Sequence, residues 1–125
     1  MVKFQDSDKC LEAIAKQESG GNKNIGCVMD KGSLSCGQFQ IKLPYYKDAG
    51  EPGRQPGQPV EDAWKQCAND YSCAATSVKN YFDRYQNKCP DVPPCEAMAR
   101  LHNGGPNGCN KSATDVYWNG VKDKL

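Results

Sequence analysis

Long apolar runs are missing from this chain. No stretch of its 125 residues approaches the ~18 apolar residues of a membrane-spanning helix, and no signal-peptide core follows Met1. We expect no membrane span, and a mature chain that carries an added start methionine. Excess charge of one sign is missing as well. Sixteen Lys and Arg stand against fifteen Asp and Glu, for a formal net charge of +1. That balance argues against a nucleic-acid binder working through a basic surface, and it leaves little long-range attraction to an anionic partner. Histidine is nearly absent, His102 being the only one. No two cysteines are separated by just two residues, so zinc-ligand spacing is lacking and neither metal nor cofactor is expected.

Apolar residues are also scarce, at 38%, while 12 Gly and 8 Pro point to a loop-rich chain with a modest core. The length suits one domain spanning 1–125 and is too short for two units with useful cores. Eight cysteines supply the missing stabilisation. An even count at this density reads as a disulfide framework made in an oxidising compartment, hence a secreted, extracellular protein. Cys27 and Cys36, like Cys67 and Cys73, lie close enough to close short local loops. Cys10, Cys89, Cys95 and Cys109 must join distant segments. Eight cysteines allow about 105 connectivities, so spacing alone leaves the pairing open.

Periodicity places the elements. Asp6, Ser7 or Asp8 can cap a helix starting near Lys9, with Cys10, Leu11, Ile14 and Ala15 as its apolar stripe and Ser19-Gly20-Gly21 as its stop. From Ile25 to Lys42 the pattern shortens to a small antiparallel hairpin or meander, with Asp30-Lys31-Gly32-Ser33 as turn chemistry. Pro44 opens a short helix through Lys47, and residues 50–59 form an irregular loop. Helices follow over Val60 to Ala68, Cys73 to Asn87 and Pro94 to His102. A last one, from Ser112 or Thr114, presents Val116, Tyr117, Trp118 and Val121. The fold class expected is α+β, helices around a small sheet.

Glu18 falls in the last turn of the first helix, where the negative end of the helix dipole disfavours ionisation. Asp30 falls in the sheet turn twelve positions later. Glycoside hydrolysis needs such a contrast: one carboxyl kept protonated for the leaving oxygen, and one kept ionised as nucleophile or charge stabiliser. The spacing is common, however, and equally suits a surface carboxylate and a turn-capping aspartate.

Longer motifs decide more. Cys10-Leu11, Glu18-Ser19-Gly20, Ile25-Gly26-Cys27, Met29-Asp30-x-Gly32-Ser33-Leu34-Ser35-Cys36-Gly37-x-Phe39-Gln40-Ile41-Lys42 and His102-Asn103-Gly104-Gly105-Pro106-x-Gly108-Cys109 resemble, in order, the invertebrate-type lysozymes, the group that includes destabilase. The resemblance implies a lysozyme-like fold and cleavage of β-1,4 bonds between N-acetylmuramic acid and N-acetylglucosamine. It carries the catalytic roles onto Glu18 and Asp30, with peptidoglycan or a chitooligosaccharide as partner.

Ser33 either bonds the Asp30 carboxylate or a sugar acetamido group, or simply closes the turn. Tyr45, Tyr46 and Asn103 are candidates for the cleft wall. Some members are described as isopeptidases of γ-glutamyl-ε-lysine bonds, for which Ser33 or Ser35 with Lys42 or His102 are the candidate pairs. A peptidoglycan- or chitin-binding module with little turnover is a further alternative. Many relatives carry more cysteines than eight. From the family pattern we expect Cys27–Cys36 and Cys67–Cys73, with Cys10–Cys89 and Cys95–Cys109 completing the set. The segment 51–59 looks longer than usual, and we expect it to alter substrate access. A monomer is expected, with a dimer as the alternative.

Overall fold

In the computed structural model, residues 7–125 are described. Asp6, one of the three cap candidates, lies outside them. Six α-helices surround one hairpin: α1 (Ser7–Ser19), β1 (Cys27–Asp30), β2 (Ser33–Cys36), α2 (Leu43–Asp48), α3 (Val60–Ala68), α4 (Tyr71–Tyr85), α5 (Pro94–Gly104) and α6 (Thr114–Lys122). This is the α+β architecture expected. Single 3-10 turns follow α4 at Gln86–Lys88 and α5 at Gly108–Asn110.

Local chemistry explains most boundaries. Helix α1 stops where Gly20 and Gly21 take φ of 67° and 74°, and Gly20 N–H closes on Lys16 O at 2.8 Å. The hairpin pairs Asp30 with Ser33 across Lys31-Gly32, both at positive φ as a tight two-residue hairpin turn of the primed type requires. Phe39-Gln40 is a turn, and Ile41 adds only an isolated bridge to Cys36, so among the described residues the hairpin has no third strand. Helix α4 begins two residues before the expected Cys73 because the Asp70 carboxylate caps it, accepting from Cys73 N–H at 2.9 Å.

The core is one cluster built from the hairpin exit and all six helices, with Leu11, Ile14, Phe39, Tyr46, Met98 and Leu101 among its most buried members. Gly37 lets the hairpin exit press against the end of α3; a Cβ there would stand 1.6 Å from the Ala68 carbonyl oxygen. Trp64 locks the same junction by donating to Ile41 O at 3.0 Å. Val116 departs from the expected α6 stripe, at 79% exposed, because Tyr117, Trp118 and Val121 already cover the face that meets the core.

All eight cysteines are paired. Cys27–Cys36 and Cys67–Cys73 form as expected, but the other two bridges are Cys10–Cys95 and Cys89–Cys109. The expected Cys10–Cys89 and Cys95–Cys109 are therefore corrected. Pro94 starts α5, so Cys95 lies in its first turn, which packs beside the first turn of α1; Cys89 is left free to reach the turn before α6.

Candidate active site

The end of α1 brings Glu18 to the mouth of a cleft of about 180 Å³ lined by Glu18, Asp30, Gln40, Lys42, Tyr45, His102 and Asn103. Four elements meet there. Helix α1 supplies the glutamate, the hairpin and the segment after it supply Asp30, Gln40 and Lys42, α2 supplies Tyr45, and α5 supplies His102 and Asn103.

The two carboxylates differ in setting. Glu18 Oε2 accepts from the Tyr117 hydroxyl at 2.8 Å and lies 3.4 Å from His102 Nε2; its side chain is 21% exposed. His102 is nearly sealed. Its Nε2 lies 2.8 Å from the Phe39 carbonyl oxygen, which can only accept, so Nε2 carries the hydrogen and Nδ1 accepts from the Tyr45 hydroxyl at 2.9 Å. Burial, then the charges of Tyr81 and Glu18, push the Tyr45 phenol well up. Burial and then the Glu18 charge do the same to Tyr117, so both hydroxyls stay protonated donors.

Asp30 instead sits on an open hairpin tip, its side chain 54% exposed. Lys42 Nζ spans that tip, donating to Ser33 Oγ at 2.5 Å and to Asp30 O at 3.1 Å, with the Asp30 carboxylate 3.7 Å away. Ser33 also closes the turn by donating to Asp30 O at 3.3 Å.

Several residues singled out by sequence lie elsewhere. Tyr46 is not a cleft wall: it is fully buried in the core and donates to Pro52 O at 2.8 Å, because α2 turns its side chain inward while Tyr45 faces the cleft. Ser35 is 1% exposed and its hydroxyl has no hydrogen-bond partner, so it lacks the base a nucleophilic serine needs. His102 bonds neither serine. No residue of 51–59 lines the cleft; that loop is folded back by the Pro52 contact to Tyr46 and the Gln58 contact to Gln66.

Gln40 and Tyr117 were not legible as site residues. Gln40 is placed by an unusual positive φ of 51°, and Tyr117 reaches Glu18 across 99 positions of chain. A larger hollow of about 590 Å³, bounded by Glu12, Lys16 and Tyr71 among others, contains neither acid, so its size carries no argument for chemistry.

The fold is matched by solved lysozymes. Similar structures include Tapes japonica lysozyme, with a TM-score of 0.79 at 49% identity over 91% of this chain and 86% of that one. Meretrix lusoria lysozyme, in complex with Aeromonas hydrophila PliI, gives a TM-score of 0.81 at 45% identity over 98% of this chain and 93% of the other. Fold and acid-lined cleft together define a lysozyme-like glycoside hydrolase. The model of the Destabilase family matches residues 7–124, and invertebrate-type lysozyme 3 of Caenorhabditis elegans is 57% identical over 97% of this chain and 87% of its own length. The chain belongs to the destabilase family of invertebrate-type lysozymes.

Proposed function

We propose that this lysozyme hydrolyses the β-1,4 bond between N-acetylmuramic acid and N-acetylglucosamine of bacterial peptidoglycan, with Glu18 as general acid and Asp30 as its partner carboxylate. The observation that carries the assignment is that both acids line one small cleft while differing in setting, one held by buried donors and one open to water.

In the reaction Glu18 gives its proton to the glycosidic oxygen as that oxygen leaves with the electron pair of its bond to the anomeric carbon. Asp30 balances the positive charge that develops on that carbon. Water then adds hydroxide to the carbon and returns its proton to the carboxylate pair. Gln40, Tyr45 and Asn103 offer amide and aromatic surface to the sugar, and Lys42 and Ser33 hold the hairpin tip in place. Four disulfides and the absence, among the described residues, of any helix long and apolar enough to cross a membrane support a secreted enzyme.

The test is wall clearing. Purified protein should clear a suspension of Gram-positive cell walls, and Glu18→Gln should lower the rate by about 10³-fold, the scale of a lost general acid, with an unchanged melting temperature. A Gln variant as fast as the parent would remove the assignment.

A second reading has one observation in its favour. The 2.5 Å contact between Ser33 Oγ and Lys42 Nζ sets a serine beside an amine that could serve as its base once the ammonium, here the donor, has lost a proton. A chromogenic γ-glutamyl-lysine substrate separates the two: turnover that persists in Glu18→Gln and vanishes in Ser33→Ala supports it, and equal turnover in Ser33→Ala and parent excludes it.

A further inference from the structure

The carboxyl group of Glu18 is held asymmetrically. Both of its protein contacts fall on Oε2: the Tyr117 hydroxyl from α6 at 2.8 Å and His102 Nε2 from α5 at 3.4 Å. Each of these groups is held by others. His102 is fixed at both ring nitrogens, by Phe39 O and by the Tyr45 hydroxyl, and the Tyr45 ring stacks on Tyr81 with centroids 4.0 Å apart and planes 13° off parallel. Among the described residues the Tyr117 hydroxyl makes no hydrogen bond other than the one to Glu18.

A proton placed on Oε2 would face the Tyr117 hydrogen across 2.8 Å, and the phenol would then have to give up the one hydrogen bond its hydroxyl makes. A proton on Oε1 leaves the Tyr117 donation to Oε2 intact. We infer that Tyr117 is a positioning residue that reserves Oε2 of Glu18 as an acceptor and so directs the transferable proton to Oε1.

This inference rests on the reading of Glu18 as the acid, and adds which oxygen acts. When the Oε1–H bond breaks and the leaving oxygen takes the proton, the charge left behind spreads onto Oε2, where Tyr117 is already aligned to donate. The stabilising group needs no movement at the moment of transfer. The other ionisable groups near Glu18 are the Tyr45 phenol from α2 and, across the cleft, Asp30 and Lys42; Lys42 is occupied by Ser33 and Asp30.

The experiment follows Glu18 Cδ by ¹³C NMR during a pH titration of parent and Tyr117→Phe, the resonance being assigned from its loss in Glu18→Gln. Donation favours the carboxylate, so removing it should raise the titration midpoint by about one pH unit, a tenfold change in the ionisation equilibrium. The alkaline limb of the wall-clearing profile should move up by the same interval while the acid limb and KM stay in place. A role confined to packing would lower the melting temperature and leave the midpoint where it was.

Should Tyr117→Phe fail to fold, 3-fluorotyrosine at position 117 alone supplies a stronger donor and should move the midpoint down. Coincident midpoints overturn the inference while the parent's wall clearing still upholds the lysozyme reading. A parent that clears no walls overturns that reading and the catalytic meaning of the Oε1 proton with it.

Discussion

The two sides of the cleft are built on different principles. On the helical side Glu18 is fixed by groups from three further helices, through Tyr117, His102 and Tyr45, in a region packed against the core. On the hairpin side Asp30, Ser33 and Lys42 form an open cluster on a four-residue pair of strands flanked by the exposed Val28 and Met29. A general acid must present its proton in one geometry, and partners that neither move nor ionise fix that geometry even though their donation favours the carboxylate. A charge stabiliser does best where water and a nearby ammonium keep it ionised. The contrast between rigid helical side and open hairpin matches the roles proposed for Glu18 and Asp30.

The sharpest way to break the comparison is to exchange the acids' chemistry. Glu18→Gln should cost about 10³-fold in wall clearing and Asp30→Asn about 10²-fold, both in folded protein as judged by circular dichroism. Equal losses would show that setting does not separate their roles.

The next largest effect lies in the covalent bridges. Cys10–Cys95 closes 85 residues and ties α1 to α5, whereas Cys27–Cys36 closes 9 within the hairpin. In the chain-entropy model their removal as Ser pairs should cost about 4.5 and about 2.5 kcal/mol, read from urea midpoints. Activity should respond in the opposite order to stability if the hairpin's shape matters more to catalysis than its contribution to folding.

A smaller effect belongs to pH. Burial first, then neighbouring charge, raises Tyr45 and Tyr117, and burial pushes Tyr81 up to about 12. Below pH 10 these phenols are neutral in both states. Above it the unfolded chain releases protons that the folded chain keeps, so stability falls as pH climbs from 10 toward the folded values. Spectrophotometric titration should show tyrosine ionisation in the folded chain displaced above pH 10, because burial raises all six phenols, with Tyr45 and Tyr117 ionising last. Normal titration of all six near pH 10 in folded protein would remove the rigid core assigned to the helical side.

Much of this was legible because it is local. The stripe of α1, its Gly20-Gly21 stop, the Lys31-Gly32 turn and the bounds of α3 each follow from residues within a turn or two of one another. The cysteines show where that reach ends. Short loops made Cys27–Cys36 and Cys67–Cys73 feasible and the family pattern named them, but the partners of Cys10 and Cys95 depend on which helix start faces α1. Tyr45 and Tyr46 show the same limit in one dipeptide. Both are aromatic, and only the packing of α2 sends one to the cleft and the other into the core.

Local periodicity and turn chemistry were thus enough to set the elements, and the motifs from Glu18 to Gly20 and from Met29 to Lys42 were enough to mark the family and to single out Glu18 and Asp30 as its candidate acids. The long bridges, the fate of each tyrosine and the Tyr117–Glu18 contact arose from how the helices pack. Those features join residues up to 99 positions apart, and no pattern confined to neighbouring residues encodes a contact that exists only once α1, α5 and α6 have buried their apolar faces against one another.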